Sequence, residues 1–231
     1  MATIINKEGI LSLAKILLDS CPGHLHEPEE WLLHLGDSFD IGGETVKRIT
    51  HRYPGLKEHL NEEEGSVSSG LHDIGRVFRK NQLFHELEGA RFVEKHGLGL
   101  VAESLADVYR LAQMFRPHYV VAEQWADDEN KAERAKFEPL DSRLLIPRTW
   151  QEAIVVYSEL SNMRGERVPV QKRVEDVRKR YSTDPKYMNS SPSVVRAMEK
   201  GLPRVLETCE MVQRLRNGEL EMHEIMRYGF L

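Results

Sequence analysis

The chain has 231 residues, a formal net charge of −5, 40% hydrophobic residues and 30% charged residues. That length supports one generous domain with a proper core, and the composition is that of a globular chain rather than a disordered one. The acidic balance argues against general nucleic-acid binding, which needs a basic face.

In chain order, Ile10, Leu11, Leu13, Ala14, Ile16, Leu17 and Leu18 predict an amphipathic helix, stopped by Ser20-Cys21-Pro22-Gly23. Lys7, Glu8, Lys15 and Asp19 interrupt this region, so neither a signal peptide nor a membrane span is expected in it. Cys21 and Cys209 form no CxxC pair, which argues against a thiolate zinc site and makes a reducing cytoplasm the default expectation. Glu27-Pro28-Glu29-Glu30 starts a second helix, because proline and acids suit a first turn. It carries Trp31, Leu32, Leu33 and Leu35 and is expected to end near Gly36. Residues 40–43 read as a turn and 44–53 as a helix with Val46 and Ile49 inward, broken by Pro54-Gly55. A short helix at 56–60 and a solvated acidic loop at 61–65 follow.

A helix over 67–79 then carries Leu71-His72-Asp73-Ile74-Gly75-Arg76. Further helices are expected at 82–96 and 98–114, and another from Pro117 through Trp125. Residues 126–142 are the most polar stretch and read as a surface loop or exposed helix. Trp150, Ala153, Ile154, Val156 and Tyr157 mark the next helix, then a loop at 163–169 and a basic helix at 170–181 with Val174 and Val177 inward. Asp184-Pro185 breaks that helix, and Ser191-Pro192-Ser193 opens a long terminal helix bent at Gly201 and Pro203, followed by a last turn at 219–226. No segment alternates with a two-residue period between hairpin turns, and no internal repeat is present. The expectation is all-α: roughly nine to eleven helices in an irregular bundle. Trp31, Trp125 and Trp150 are assigned to its core.

His72 and Asp73 are the centre of the chemical reading. Adjacent residues on a helix point about 100° apart, so the two can hold one small target only if both lean toward one crevice. A metal ion would reward that arrangement, and so would a buried hydrogen-bonded His-Asp pair.

Leu71-His72-Asp73-Ile74-Gly75-Arg76, followed by His85 and Gly89-Ala90-Arg91, resembles the HD-domain superfamily of metal-dependent phosphohydrolases. Two later blocks add to the likeness: Ile154-Val155-Val156-Tyr157-Ser158-Glu159-Leu160, and Arg173-Val174-Glu175-Asp176-Val177-Arg178-Lys179-Arg180-Tyr181. The resemblance covers residues 40–182 as an HD-like core, leaving 1–39 as an N-terminal helical extension and 183–231 as C-terminal helices of one domain. It implies ligands in the order His, His-Asp and a distant Asp, with two further histidines for a second ion. Manganese, iron, nickel, magnesium or zinc suits such a set, and water on the metal would attack a phosphorus ester.

Carried over residue by residue, His72 and Asp73 match. His85 matches the first additional histidine, and His118 stands where the second is expected. The leading histidine is expected four residues before Val46, where this chain has Gly42, and Glu159 replaces the final aspartate. His34 and His51 read as ordinary surface or core histidines.

The expected metal set is therefore His72, Asp73, His85, His118 and Glu159, with Asp73 and Arg76 catalytic and Arg76 and Arg173 binding substrate. Arg76 faces either a phosphate or a surface salt bridge, and Glu159 either an ion or a partner such as Arg173 or Arg76. Arg91 is expected to support helix packing. The basic helix is a solvated face or a phosphate-facing one.

Two functions follow from the resemblance. The first is a phosphohydrolase acting on a phosphorylated small molecule or nucleotide, in the cytoplasm, with neither membrane nor general nucleic-acid partners and with homo-oligomerisation left open. The second is a catalytically degenerate relative, with or without an ion, that serves as a ligand-sensing or protein-interaction module with little or no hydrolysis.

Overall fold

The computed structural model describes residues 5–23, 25, 27–79, 82–183 and 192–226, with 182 and 183 as backbone only. Its axis is a helix, α8 (Trp150–Leu160), all eleven residues of which are buried. Such a helix must be apolar nearly all round, and Trp150-Gln151-Glu152-Ala153-Ile154-Val155-Val156-Tyr157 comes close to that. A capping box starts it: Thr149 accepts from the Glu152 amide, and Glu152 returns the bond to the Thr149 amide.

Two apolar clusters meet on α8. One takes Ile154, Val156 and Leu160 with the partners supplied by α9 (Val170–Thr183) and α10 (Pro192–Asn217). The other takes Val155 with α1 (Lys7–Ser20), the first half of α2 (Pro28–Arg52), α3 (Glu62–Leu71), α4 (His85–His96) and α5 (Leu105–Phe115). Short helices α6 (Val121–Ala126) and α7 (Lys131–Arg134), with single turns of 3-10 helix, fill the polar stretch, and α11 (Met222–Ile225) ends the described chain. A two-stranded hairpin, β1 (Asn162–Met163) and β2 (Glu166–Arg167), replaces the loop expected at 163–169. Its turn residues Arg164 and Gly165 both have positive φ, which matches the right-handed twist of a two-residue hairpin. The architecture is all-α apart from this hairpin, as the sequence predicts. The three tryptophans are buried.

The largest departure from expectation is α2. It does not stop at Gly36 or turn at 40–43 but runs unbroken for 25 residues. Its buried residues Trp31, His34, Leu35, Ser38, Ile41, Gly42, Thr45, Val46 and Ile49 form one stripe at helical spacing. The glycines allow close packing rather than a turn: a Cβ on Gly42 would meet the Gly65 carbonyl and the Ser69 side chain of α3. The acidic stretch at 61–65 is not a loop either. Asn61 caps α3 by accepting from the Glu64 amide, and Glu62, Glu63 and Glu64 complement the positive end of the helix dipole.

The expected helix at 67–79 divides into α3 and a 3-10 turn (Ile74–Phe78). α4, α5 and α6 all begin later than predicted. The predicted break at Asp184-Pro185 and the cap at Ser191 lie outside the described residues. No described helix is long and apolar enough to cross a membrane.

Candidate metal centre

The chain leaves the α-helix between His72 and Asp73, and this lets both side chains serve one crevice. His72 caps the C-terminal end of α3, and Asp73 opens the 3-10 turn with φ −101° and ψ 7°. Both are fully buried. From α2, Trp31 Nε1 donates to the Asp73 carbonyl at 3.3 Å and fixes the bend.

Around this pair stand four more buried ionisable side chains from separate parts of the fold. His34 is on α2, His85 is the first residue of α4, His118 lies between α5 and α6, and Glu159 is in the last turn of α8. One ligand atom from each of His34, His72, Asp73 and Glu159 lies within 4.8 Å of all the others, and the same holds for Asp73, His85 and His118. Asp73 belongs to both groups. That spread is close to the ~4 Å diameter of the ligand shell around a small divalent ion. The individual distances are consistent: His34 Nε2 lies 2.5 Å from Glu159 Oε2 and 3.2 Å from His72 Nε2. His72 Nε2 lies 3.0 Å from Glu159 Oε2, and His85 Nε2 lies 2.9 Å from Asp73 Oδ1.

His34 corrects the sequence reading. Gly42 is a helix-packing contact, and the histidine that α2 brings to the cluster is His34, two turns earlier on the same unbroken helix. Extending the inward stripe of Val46 and Ile49 back to Trp31 would have found it. His51, the other candidate dismissed from the sequence, is exposed and outside the cluster.

The outer nitrogens of three histidines are held by neutral oxygens. His34 Nδ1 donates to Asn162 Oδ1 at 2.5 Å, His72 Nδ1 to the Ser69 carbonyl at 2.5 Å, and His85 Nδ1 to the Gln82 carbonyl at 2.8 Å. Asn162 is fixed in turn, its amide donating to Ser38 Oγ and the Ser158 carbonyl. Protonation at Nδ1 leaves each neutral ring with a lone pair on Nε2, aimed at the cluster, which is how a metal-binding histidine is oriented. Sequence reading missed Asn162, which lies just beyond the end of α8, where that helix packs on α2.

The electrostatics agree with a cation site. Burial pushes the Asp73 carboxyl up, but Arg76, His72 and His85 outweigh it and hold the group well below the usual range. Burial likewise opposes ionisation of Glu159, and His34, His118 and His72 overcome it. Burial lowers the pKa of His72. It would lower that of His118 too, but Glu159 and Glu86 push it up to about 10. Charges that retain a proton on an imidazole also favour a divalent ion in its place. His118 Nδ1 and Nε2 and Asp73 Oδ2 are buried without a hydrogen-bond partner, although Asp73 Oδ2 makes a 2.7 Å ionic contact with Arg76 Nε. Nitrogen and oxygen donors with such orphaned atoms fit a small divalent metal.

A cavity of about 40 Å³ adjoins the cluster, lined among others by Arg76, His118, Tyr119, Arg173, Arg180 and Tyr181. Arg173 is buried. It lies 3.5 Å from Glu159 Oε1 and 3.2 Å from Asp176 Oδ2, so the pairing of Glu159 with Arg173 and its place in the cluster coexist. Arg180 and Asp176 also pair. The buried edge of α9 therefore carries arginines, whereas Lys172, Arg178 and Lys179 are exposed. Arg91 donates to the Lys136 carbonyl and lies over the Phe137 ring, as expected of a packing residue. Comparison of the chain with family models, with curated proteins and with solved structures found no match in any of the three.

Proposed function

We propose that this chain is a metal-dependent phosphohydrolase of the HD type, acting on a phosphate ester of a small molecule or nucleotide. The observation that carries the reading is the convergence of six buried ligating side chains into two groups that share Asp73, beside an arginine-lined cavity. In this reading His34, His72, Asp73 and Glu159 hold one ion, and Asp73, His85 and His118 hold a second. Glu159, one methylene longer than aspartate, still reaches the cluster because it sits at the very end of α8. The bound ions would supply a nucleophile from water at neutral pH and neutralise charge on the phosphoryl group. Arg76, steadied through Nε by Asp73, has terminal nitrogens to offer a phosphate, and Arg173 and Arg180 extend the same cationic wall.

The rival reading, a ligand-sensing module without turnover, draws support from the size of the cavity. At about 40 Å³ it holds roughly three water molecules, so a phosphate ester enters only if side chains move.

Elemental analysis of the purified protein, paired with hydrolysis of chromogenic phosphomonoesters and phosphodiesters in manganese, separates the two. Bound metal that is lost in His72→Ala, together with turnover in the wild type, is the expected result. Metal without turnover favours the sensing module, and neither metal nor turnover sinks the hydrolase.

A further inference from the structure

Among the four histidines of the cluster, His118 alone lacks a neutral oxygen on its outer nitrogen. A carboxylate stands beside it instead: Glu86 Oε1 lies 3.6 Å from His118 Nδ1. Glu86 follows His85 on α4, is almost completely buried, and its Oε2 has no hydrogen-bond partner. That oxygen lies 3.6 Å from His85 Nδ1, a nitrogen already committed to the Gln82 carbonyl. Glu86 belongs to neither ligand group. A buried carboxylate with an orphaned oxygen is costly unless it has a task, and the one ring beside it with a free Nδ1 is His118.

Resting on the metal reading above, we propose that Glu86 is the positioning residue for the second ion. Its carboxylate accepts from His118 Nδ1 and turns Nε2 of that ring toward Asp73 and His85. The two ion positions thus have different outer shells. Asn162 and a backbone carbonyl support the histidines of the first. A backbone carbonyl and a full negative charge support those of the second. The carboxylate makes His118 the more basic ligand, and it compensates for the second position having only the shared Asp73 as an acidic ligand.

The test is metal stoichiometry, read on folded protein after manganese loading and gel filtration, with circular dichroism confirming the helical fold. The wild type should hold two ions per chain, Glu86→Ala one, and Glu86→Gln two, with the weaker ion bound about 10- to 100-fold less tightly, the usual cost of altering an outer partner. Adding His118→Ala to Glu86→Ala should remove nothing more, while adding His34→Ala should empty the protein. Two ions retained by Glu86→Ala overturn the inference and leave the metal reading standing. An empty Glu86→Ala protein overturns it too, since the residue would then support the whole cluster. Fewer than two ions in the wild type overturns the second position, and none at all overturns both proposals.

Discussion

The two sides of Asp73 are built differently. On the side of α2, α3 and α8, both nitrogens of His34 and of His72 have partners, and Asn162 is anchored by Ser38 and Ser158. On the side of α4, α6 and α9, Gln82 Oε1, Glu86 Oε2, both nitrogens of His118, Tyr119 Oη and Arg173 Nε are buried without hydrogen-bond partners. Every one of those residues lines the cavity. An unsatisfied buried polar group costs on the order of 1–3 kcal/mol. The first side has such atoms too, Asp37 Oδ2, Ser69 Oγ, Gln151 Oε1 and Ser161 Oγ, but none of them lines the cavity. Only the orphans of the second side face a space that a ligand can fill. The other side is scaffold. Tyr119 makes the same point in the backbone, since its φ of 48° places it in the left-handed region that non-glycine residues seldom adopt.

The sharpest way to break this comparison is Asp73→Asn. Asp73 is common to both sides, so this variant should lose all bound metal, whereas Glu159→Gln should lose only the ion on the scaffold side. Elemental analysis decides it: equal losses in the two variants would mean the cluster is one site, not two. Next in size is the arginine-lined wall on the open side. Arg173→Leu should weaken binding of inorganic phosphate about 10- to 100-fold, the worth of one or two charge-assisted hydrogen bonds. Arg173→Lys should fall between, keeping charge but losing the fork. Calorimetric titration with phosphate measures both, and unchanged affinity in Arg173→Leu would leave Arg173 as a structural partner of Glu159.

The open side was the more legible of the two in the sequence. The resemblance, not apolar spacing, points to His85 and His118, and the structure brings both into the cluster. The scaffold side was obscured by glycine. Gly36, Gly42 and Gly43 read as punctuation, and that reading cut α2 before His34 joined the inward stripe. In the fold these glycines let α2 approach its neighbours: a Cβ on Gly36 would meet the Lys7 side chain, and one on Gly43 the Ser66 hydroxyl. Glycine as a breaker and glycine as a contact look alike without knowledge of what packs opposite. Asn162 was invisible for a related reason, because its partner is 128 residues away. The all-α class, by contrast, follows from apolar spacing alone.

The same glycines give a third, smaller test. A Cβ on Gly75 would run into backbone on α4, at the His85 carbonyl and the Gly89 amide. Backbone cannot step aside, so Gly75→Ala should cost roughly 1–3 kcal/mol, which for a chain of this size is a fall of several degrees in Tm. The strain falls on His85, so the open side should lose its ion first. Gly42→Ala should cost a similar amount, because the Gly65 carbonyl and the Ser69 Cβ that it would meet are both fixed to the α3 backbone. It should disturb the scaffold side instead. Thermal melts with metal counts on both variants check the pairing of glycine with side.

The smallest effect separates the stability of the scaffold from metal chemistry altogether. Glu64, on α3 and outside the cluster, is buried, and burial raises its pKa while Arg110, 2.5 Å away, opposes the rise. A carboxyl with a folded-state pKa above its unfolded value is destabilising when charged. The cost is present in full above the folded pKa and is relieved as pH falls through it toward the unfolded value. Glu64→Gln carries no such titration. The wild type should therefore gain stability relative to Glu64→Gln as pH falls from 8 toward 4, in metal-free buffer. Urea melts of the two proteins across that range give the difference directly. A difference independent of pH would mean that Arg110 cancels the burial of Glu64, and a trend of opposite sign would mean that the ion pair outweighs it.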